Sequence, residues 1–163
     1  MIAIINTGGT FTKRYDPIQG ELIVPQGEEG IQELLASQSN LAYRLVGVVH
    51  KDSLQMNDAD REEIVKVVAA TPEREVVVIH GTDTMHLTAA CLEAARLNKA
   101  IVLIGAMIPA SISPTEAALH LGMALGFLIA HPPTGVYIAM HGAILPHQRI
   151  IKDRSKGQFV PIS

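Results

Sequence analysis

Several things are scarce in this 163-residue sequence, and each scarcity removes a class of protein. Cysteine occurs once, at Cys91, so no intramolecular disulfide framework exists and a reducing cytoplasm is the expected setting. Tryptophan is absent and aromatics make up 4%, which excludes a stacking platform for bases or sugars. Charged residues reach only 18%, and 13 basic against 16 acidic groups leave a net charge of -3, so there is no basic footprint for nucleic acid. A membrane-spanning run is missing too. The most apolar stretch, Ala117 to Ala130, is interrupted by His120, Gly122 and Gly126 and falls short of the roughly 20 residues a span requires. The N-terminus (Met-Ile-Ala-Ile-Ile-Asn-Thr) carries no basic region and reads as a first strand, not a signal peptide. No repeat, low-complexity tract or linker interrupts the chain, and residues 1–163 read as one domain.

What remains is apolar: 48% of the residues are hydrophobic, more than enough to bury a core and too many for disorder. Ile2 to Ile5, Leu45 to Val49, Val76 to Ile79, Ile101 to Ile104 and Gly135 to Met140 are short, mostly Val- and Ile-rich runs, the pattern of strands buried on both faces. Between them the spacing turns helical: Ile31, Leu34 and Leu35; Ile64, Val67 and Val68; Met85, Ala89 and Leu92. Asn57 and Asp58 open the second helix. Ser113-Pro114-Thr115-Glu116 reads as a capping box with proline at the first helical position, and His131-Pro132-Pro133 ends that helix. Thr10 to Pro25 has no helical period and reads as a flap hairpin. The alternation predicts a doubly wound, Rossmann-like or flavodoxin-like α/β domain, a parallel sheet with helices on both faces. Ligands of such folds bind beyond the carboxyl ends of the strands.

Those ends carry chemistry. The first strand runs into Asn6-Thr7-Gly8-Gly9-Thr10, the second into Lys51-Asp52-Ser53-Leu54-Gln55-Met56-Asn57. The third delivers His80-Gly81-Thr82-Asp83-Thr84 and the fourth Gly105-Ala106-Met107. Four loops therefore put hydroxyls, a carboxylate and glycine-freed amides on one edge. The Gly-Gly turn lacks the dinucleotide fingerprint and the phosphate-loop lysine, and there is no Gly-x-Ser-x-Gly elbow, so nucleotide binding and serine-hydrolase chemistry find no support. A threonine hydroxyl becomes a nucleophile only when a base removes its proton. Lys13, Lys51 and Lys152 are all candidates for that base. The histidines lack metal-site spacing, with no His-Glu-x-x-His, and no metal is expected. Cys91 and the methionines read as core.

Asn6-Thr7-Gly8-Gly9-Thr10 and His80-Gly81-Thr82-Asp83-Thr84-Met85 resemble the two signature motifs of the bacterial-type L-asparaginases. Asp52 to Asn57 resembles the family's substrate-binding serine segment, Ile104 to Pro109 its Gly-Ala-Met-Arg-Pro loop, and Ile144-Leu145 with Arg149 to Lys152 the stretch holding its catalytic lysine. The resemblance implies that Thr10 attacks the substrate's side-chain amide to form an acyl-enzyme, with Thr82, Lys152 and Asp83 as a proton-transfer group. It implies that Tyr15 closes over the substrate from the flap. Gly9, Ser53, Leu54, Gly81 and Ala106 would bind substrate, Ser53 facing the α-carboxylate and Asp83 the α-ammonium. No cofactor is implied.

Three positions depart from the family pattern. Ile108 replaces an arginine, Leu54 a polar residue of the secreted subclass, and Glu116 stands where aspartate is common. Family members run to about twice this length, consistent with two domains of ordinary size. The resemblance here is to a short-chain, single-domain form without the C-terminal domain. The expectation is hydrolysis of L-asparagine to L-aspartate and ammonia by a homo-oligomer, dimer or tetramer. L-glutamine or another amide, as in ammonia-supplying components of amidotransferases, is the first rival. A non-catalytic amino-acid-binding module is the second.

Overall fold

The computed structural model describes residues 1–163. Its elements are β1 (Ile2–Gly8), β2 (Arg14–Asp16), β3 (Glu21–Ile23), α1 (Glu29–Leu35), β4 (Tyr43–Lys51), α2 (Asp58–Ala70), β5 (Glu75–Ile79), α3 (Met85–Ala94), β6 (Ala100–Ile104), α4 (Pro114–Ile129), β7 (Gly135–Met140), β8 (Ala143–Pro146), β9 (Ile150–Asp153) and β10 (Gln158–Pro161). Six strands form the main sheet in the order β4-β1-β5-β6-β7-β8, parallel except for β8, which pairs antiparallel with β7. The expected parallel sheet is present as five strands, with β8 added antiparallel at its edge. β8 escapes the sequence-based reading because its apolar run, Ala143 to Leu145, is only three residues long, partly buried and one tight turn beyond β7, with Pro146 at its end.

Alternation along each strand explains the two cores. Ile2, Ile4, Val77, Ile79, Val102 and Ile104 point to the face covered by α1 and α4. Ala3, Ile5, Val76, Val78, Ile101 and Leu103 point to the face covered by α2 and α3. Side chains on both faces of such a strand are buried, which is why Ile2–Ile5, Val76–Ile79 and Ala100–Ile104 read as unbroken hydrophobic runs, while the buried Asn6 and Thr7 that follow in β1 are hydrogen-bonded. Asn57 caps α2 in a capping box with Asp60, each side chain accepting the other's backbone N–H. The box expected at Ser113 is not formed. Proline opens α4, but Ser113 makes no cap, and the Glu116 carboxylate instead accepts the backbone N–H of Met107.

The five parallel strands have flavodoxin-like order, with the direction of winding reversing between β1 and β5. Two small antiparallel hairpins stand outside the sheet. β2–β3 is the expected flap, turned at Asp16 and at Gly20, whose φ is 71°. β9–β10 has no counterpart in the sequence-based reading, and it carries Lys152 opposite Phe159.

Candidate active site

The reversal point makes a crevice, and two glycines let its walls touch. Gly9 has φ 81° and ψ -175°, a region essentially closed to residues with a Cβ. A Cβ added there would lie 2.5 Å from the Cα and N of Gly81. Gly81 in turn packs on the buried Ser53, whose Oγ would lie 2.6 Å from a Gly81 Cβ. The loops after β1, β4 and β5 are therefore in close contact. Thr10 and Thr82, each the residue after its glycine, leave from this one junction.

The surrounding bonds hold the junction rigid. The Thr7 hydroxyl donates to the Ile79 carbonyl at 2.8 Å, and the Gly8 N–H to Asn6 Oδ1 at 3.0 Å. Asn6 and His50 are both clamped by Glu28, at 2.6 and 2.7 Å. Opposite Gly8 the β4 register slips, and Val49 and His50 take φ values of 70° and 50°. For a β-branched residue such as Val49 this is stored strain, a bulge at the rim of the crevice.

Of the three candidate lysines, Lys152 reaches a threonine of the site, Thr82. Its Nζ donates to Thr82 Oγ1 and to Asp83 Oδ1, each at 2.8 Å. Lys13 pairs with Asp52 at 2.6 Å and Lys51 with Asp60 at 2.9 Å. The Lys152 hydrogen bond, above all, holds the Asp83 carboxyl below its ordinary value against the cost of burial, and the charges of Lys152 and Arg154 add to this. Arg154, absent from the sequence-based site, also donates to Asp83: Nη1 to Oδ1 and Nη2 to the backbone carbonyl, both at 2.9 Å. Arg154 is the first residue of the turn that follows β9, two positions beyond Lys152.

The remaining expected residues fall around this centre. The Ser53 Oγ accepts the Thr84 N–H at 3.3 Å, and the Thr84 hydroxyl donates to the Ser53 carbonyl at 2.9 Å, fixing the serine segment against Asp83. Ala106 is buried, while Leu54 and Tyr15 are exposed. Tyr15 sits opposite Leu22 in the flap. The flap base joins the Ala106 loop, since the Ala110 N–H donates to the Phe11 carbonyl and the Ser111 hydroxyl to that of Lys13.

Two histidine networks buttress the loops. His80 is fully buried. Its Nδ1 lies 2.8 Å from the Gly81 carbonyl and so carries the proton, leaving Nε2 to accept the Thr88 hydroxyl at 2.7 Å. Burial pushes its pKa down to about 4. Glu116, His120 and His141 converge, with side-chain ligand atoms within 4.8 Å of one another. His120 is already committed, because Nδ1–H donates to the Gly105 carbonyl at 2.8 Å and Nε2 accepts the His141 N–H at 3.0 Å. His141 Nδ1 accepts the Phe159 N–H at 2.9 Å. A cation would displace these bonds, so the cluster reads as a brace joining the Ala106 loop to the β9–β10 hairpin.

The glycine turn that carries Thr10 thus lies at the switch point of a doubly wound fold, packed on the loop whose Thr82 is held by the Lys152–Asp83 pair. The family model described as "Asparaginase, N-terminal" matches residues 1–158, and the chain belongs to that family. It is 29% identical over 148 residues to a glutamyl-tRNA(Gln) amidotransferase subunit from Methanococcus vannielii, covering 88% of this chain and 34% of that protein. The corresponding protein of Pyrobaculum aerophilum is 31% identical over 143 residues, with 85% and 34% covered. Among solved structures, the thermostable L-asparaginase from Thermococcus kodakarensis superposes with a TM-score of 0.84 at 25% identity, over 99% of this chain and 51% of that one. The probable cytoplasmic L-asparaginase from Campylobacter jejuni gives 0.81 at 26%, over 98% and 52%. The chain thus spans about a third of the curated relatives' length and about half that of the solved structures. No helix is long and apolar enough to cross a membrane.

Proposed function

We propose that this chain hydrolyses the ω-amide of a small carboxylic acid, with L-asparagine as the reference substrate, and releases ammonia. The observation that carries this reading is Lys152 Nζ at 2.8 Å from both Thr82 Oγ1 and Asp83 Oδ1, beside the Gly9–Gly81 junction. In the reaction, the Thr10 oxygen bonds to the amide carbon as its proton passes to the Thr82–Lys152 group. The C–N bond then breaks, the nitrogen takes a proton and leaves as ammonia, and a threonine ester remains. Water adds to that ester, the C–O bond to Thr10 breaks, and the carboxylate product departs. The N–H groups of Gly8, Gly9, Gly105 and Met107 are already engaged, which leaves those of Gly81 and Ala106 as donors to the developing oxyanion. Tyr15 and the flap would close over the bound amide and exclude water.

The similarity to the amidotransferase proteins favours a second reading, in which the same chemistry supplies ammonia within a larger assembly. Association into a dimer or tetramer is part of this reading, with the groove of about 560 Å³ between α1 and α4, lined by Leu34, Leu41, Leu121 and Leu125 and by Ser37 to Asn40, as a surface open to a second copy. The test is ammonia release from asparagine and glutamine by purified protein beside Thr10→Ala and Lys152→Met. Wild-type turnover no higher than that of both variants refutes the hydrolase reading.

A further inference from the structure

Lys152 is carried to Thr82 by a hairpin, and one bond on that hairpin depends on the protonation of a side chain outside the site. Phe159 stands directly opposite Lys152 in the β9–β10 pair, and its N–H donates to His141 Nδ1 at 2.9 Å. The His141 N–H in turn donates to His120 Nε2 at 3.0 Å, and His120 Nδ1 donates to the Gly105 carbonyl at 2.8 Å. A line of hydrogen bonds thus runs from the Ala106 loop through two imidazoles to the strand that faces Lys152.

A ring nitrogen that accepts a hydrogen bond carries no proton, so the neutral His141 bears its proton on Nε2. The groups that face this ring are few. Glu116 Oε1 on α4 lies 3.8 Å from Nε2, too far for a hydrogen bond, and that carboxylate is already held by the Met107 N–H. The His120 ring, also on α4, has its centroid 5.2 Å away, and Phe159 on β10 brings an uncharged ring at 6.0 Å. The His141 side chain is 22% exposed and exchanges protons with solvent. Burial first, then His120, hold its pKa below the ordinary 6.5, while Glu116 pulls the other way. The ring is therefore neutral at neutral pH and gains its proton on acidification. Both nitrogens then carry protons, and the Phe159 N–H meets a donor. Phe159 is buried, so its amide is left without a partner unless the hairpin moves.

We infer that His141 is a positioning residue, a pH-sensitive latch whose neutral ring holds the β9–β10 hairpin and Lys152 against Thr82 and whose protonation releases them. The effect on turnover rests on the amide-hydrolase reading, but the latch itself can be measured without turnover. The local backbone supplies the decisive variant. His141 and Gly142 form the two-residue turn between β7 and β8, with φ values of 50° and 84°, the arrangement in which Asn-Gly is favoured. Asparagine fits this turn, and its Oδ1 stands one bond from Cγ, as Nδ1 does, as an acceptor that does not titrate in this range.

The experiment follows amide hydrogen exchange of residues 150–161 against that of β5 and β6, corrected for intrinsic rates, from about pH 8 to about pH 5. It compares wild type, His141→Asn and His141→Leu, with ammonia release from asparagine measured in parallel. In wild type, hairpin protection should fall about tenfold or more relative to the sheet on acidification, and kcat should fall with it at little change in KM. His141→Asn should hold its protection and keep about tenfold more of its kcat at the acid end, whereas His141→Leu should be about tenfold less protected already at the alkaline end. If His141→Leu does not fold, wild type and His141→Asn decide alone. A wild-type shift under about threefold, equal losses of protection in wild type and His141→Asn, or identical acid profiles of kcat in the two overturn the inference. No ammonia release by any of the three, with the exchange pattern as expected, overturns the hydrolase reading and leaves the latch standing.

Discussion

A methyl group added at Gly9 tests whether the backbone contact between the loops after β1 and β5 organises the site. The Cβ of Gly9→Ala would sit 2.5 Å from the Cα and N of Gly81 and 3.0 Å from the carbonyl carbon of His80. Apolar atoms prefer about 3.5–4.0 Å, so the two loops must part by roughly 1 Å. The residue must also hold φ 81° and ψ -175°, which costs a non-glycine about 1–3 kcal/mol. Strain and displacement together should cost about 3 kcal/mol, lowering Tm by roughly 6–12 °C in a chain of this size. The catalytic loss should be larger, because a 1 Å misplacement of reacting groups costs on the order of 100-fold. Gly142→Ala is the control. Gly142 has φ 84° but nothing within 4 Å of an added Cβ, so it reports left-handed strain without the contact. Thermal melts and ammonia release should show Gly9→Ala losing several degrees more than Gly142→Ala, with a kcat lower by about a hundredfold. Equal Tm losses, with a Gly9→Ala kcat within about threefold of wild type, would refute the reasoning.

Lys152→Met keeps the aliphatic stem and removes the proton carrier; kcat should fall by about 10²–10⁴ while circular dichroism is unchanged, and a loss under fivefold would count against its role. Stability should fall on acidification. His80 is depressed to about 4 in the fold against about 6.5 unfolded, so between these values the unfolded chain binds the extra proton. The full contribution is present above about pH 6.5, and on the order of 3 kcal/mol is lost as pH drops toward 4. His86, His141 and His147 shift the same way, whereas the Asp83 contribution is lost only as pH falls below the ordinary 3.8 toward its depressed value. Tm measured across this range should drop and the drop should shrink in His80→Gln; a flat wild-type profile contradicts the assignment. Glu116→Ala should leave the Met107 N–H unpaired, costing about 1.5–3 kcal/mol and raising KM through the Ala106 loop, and an unchanged KM would argue against that brace.

How much of the molecule is legible without its structure differs by element. Strands β1, β5 and β6 announce themselves because burial on both faces makes most of their length a continuous apolar run. The site loops are legible because they follow the strands directly and are built of glycine and threonine. The choice among Lys13, Lys51 and Lys152 is not, since it depends on a contact between residues 70 positions apart, made by the β9–β10 hairpin. That hairpin is short and half-buried, and it gives no long apolar run to read. Glu116 shows the opposite failure. Its spacing from Ser113 fits a capping box, yet a backbone N–H nine residues upstream competes for the carboxylate and wins. Arg154 is invisible for a simpler reason, because nothing in a sequence distinguishes a surface arginine from one laid across a carboxylate.

The β9–β10 hairpin carries Lys152 and stands outside the six-stranded sheet. Two strands alone are marginal in water, and this pair is held to the body by Ile150 and Phe159 in the core beneath α2 and α3, by the Phe159 N–H on His141 and by the bonds from Lys152 and Arg154. The chain therefore contains two thermometers. The core, sealed between helix layers, registers global melting. The hairpin, with fewer buried anchors than the sheet, is expected to open locally at a smaller free energy, and it alone delivers the lysine. On the proposed function, activity is then expected to be lost while the sheet is still intact, so that the working temperature is set by the weakest pair of strands and not by the strongest.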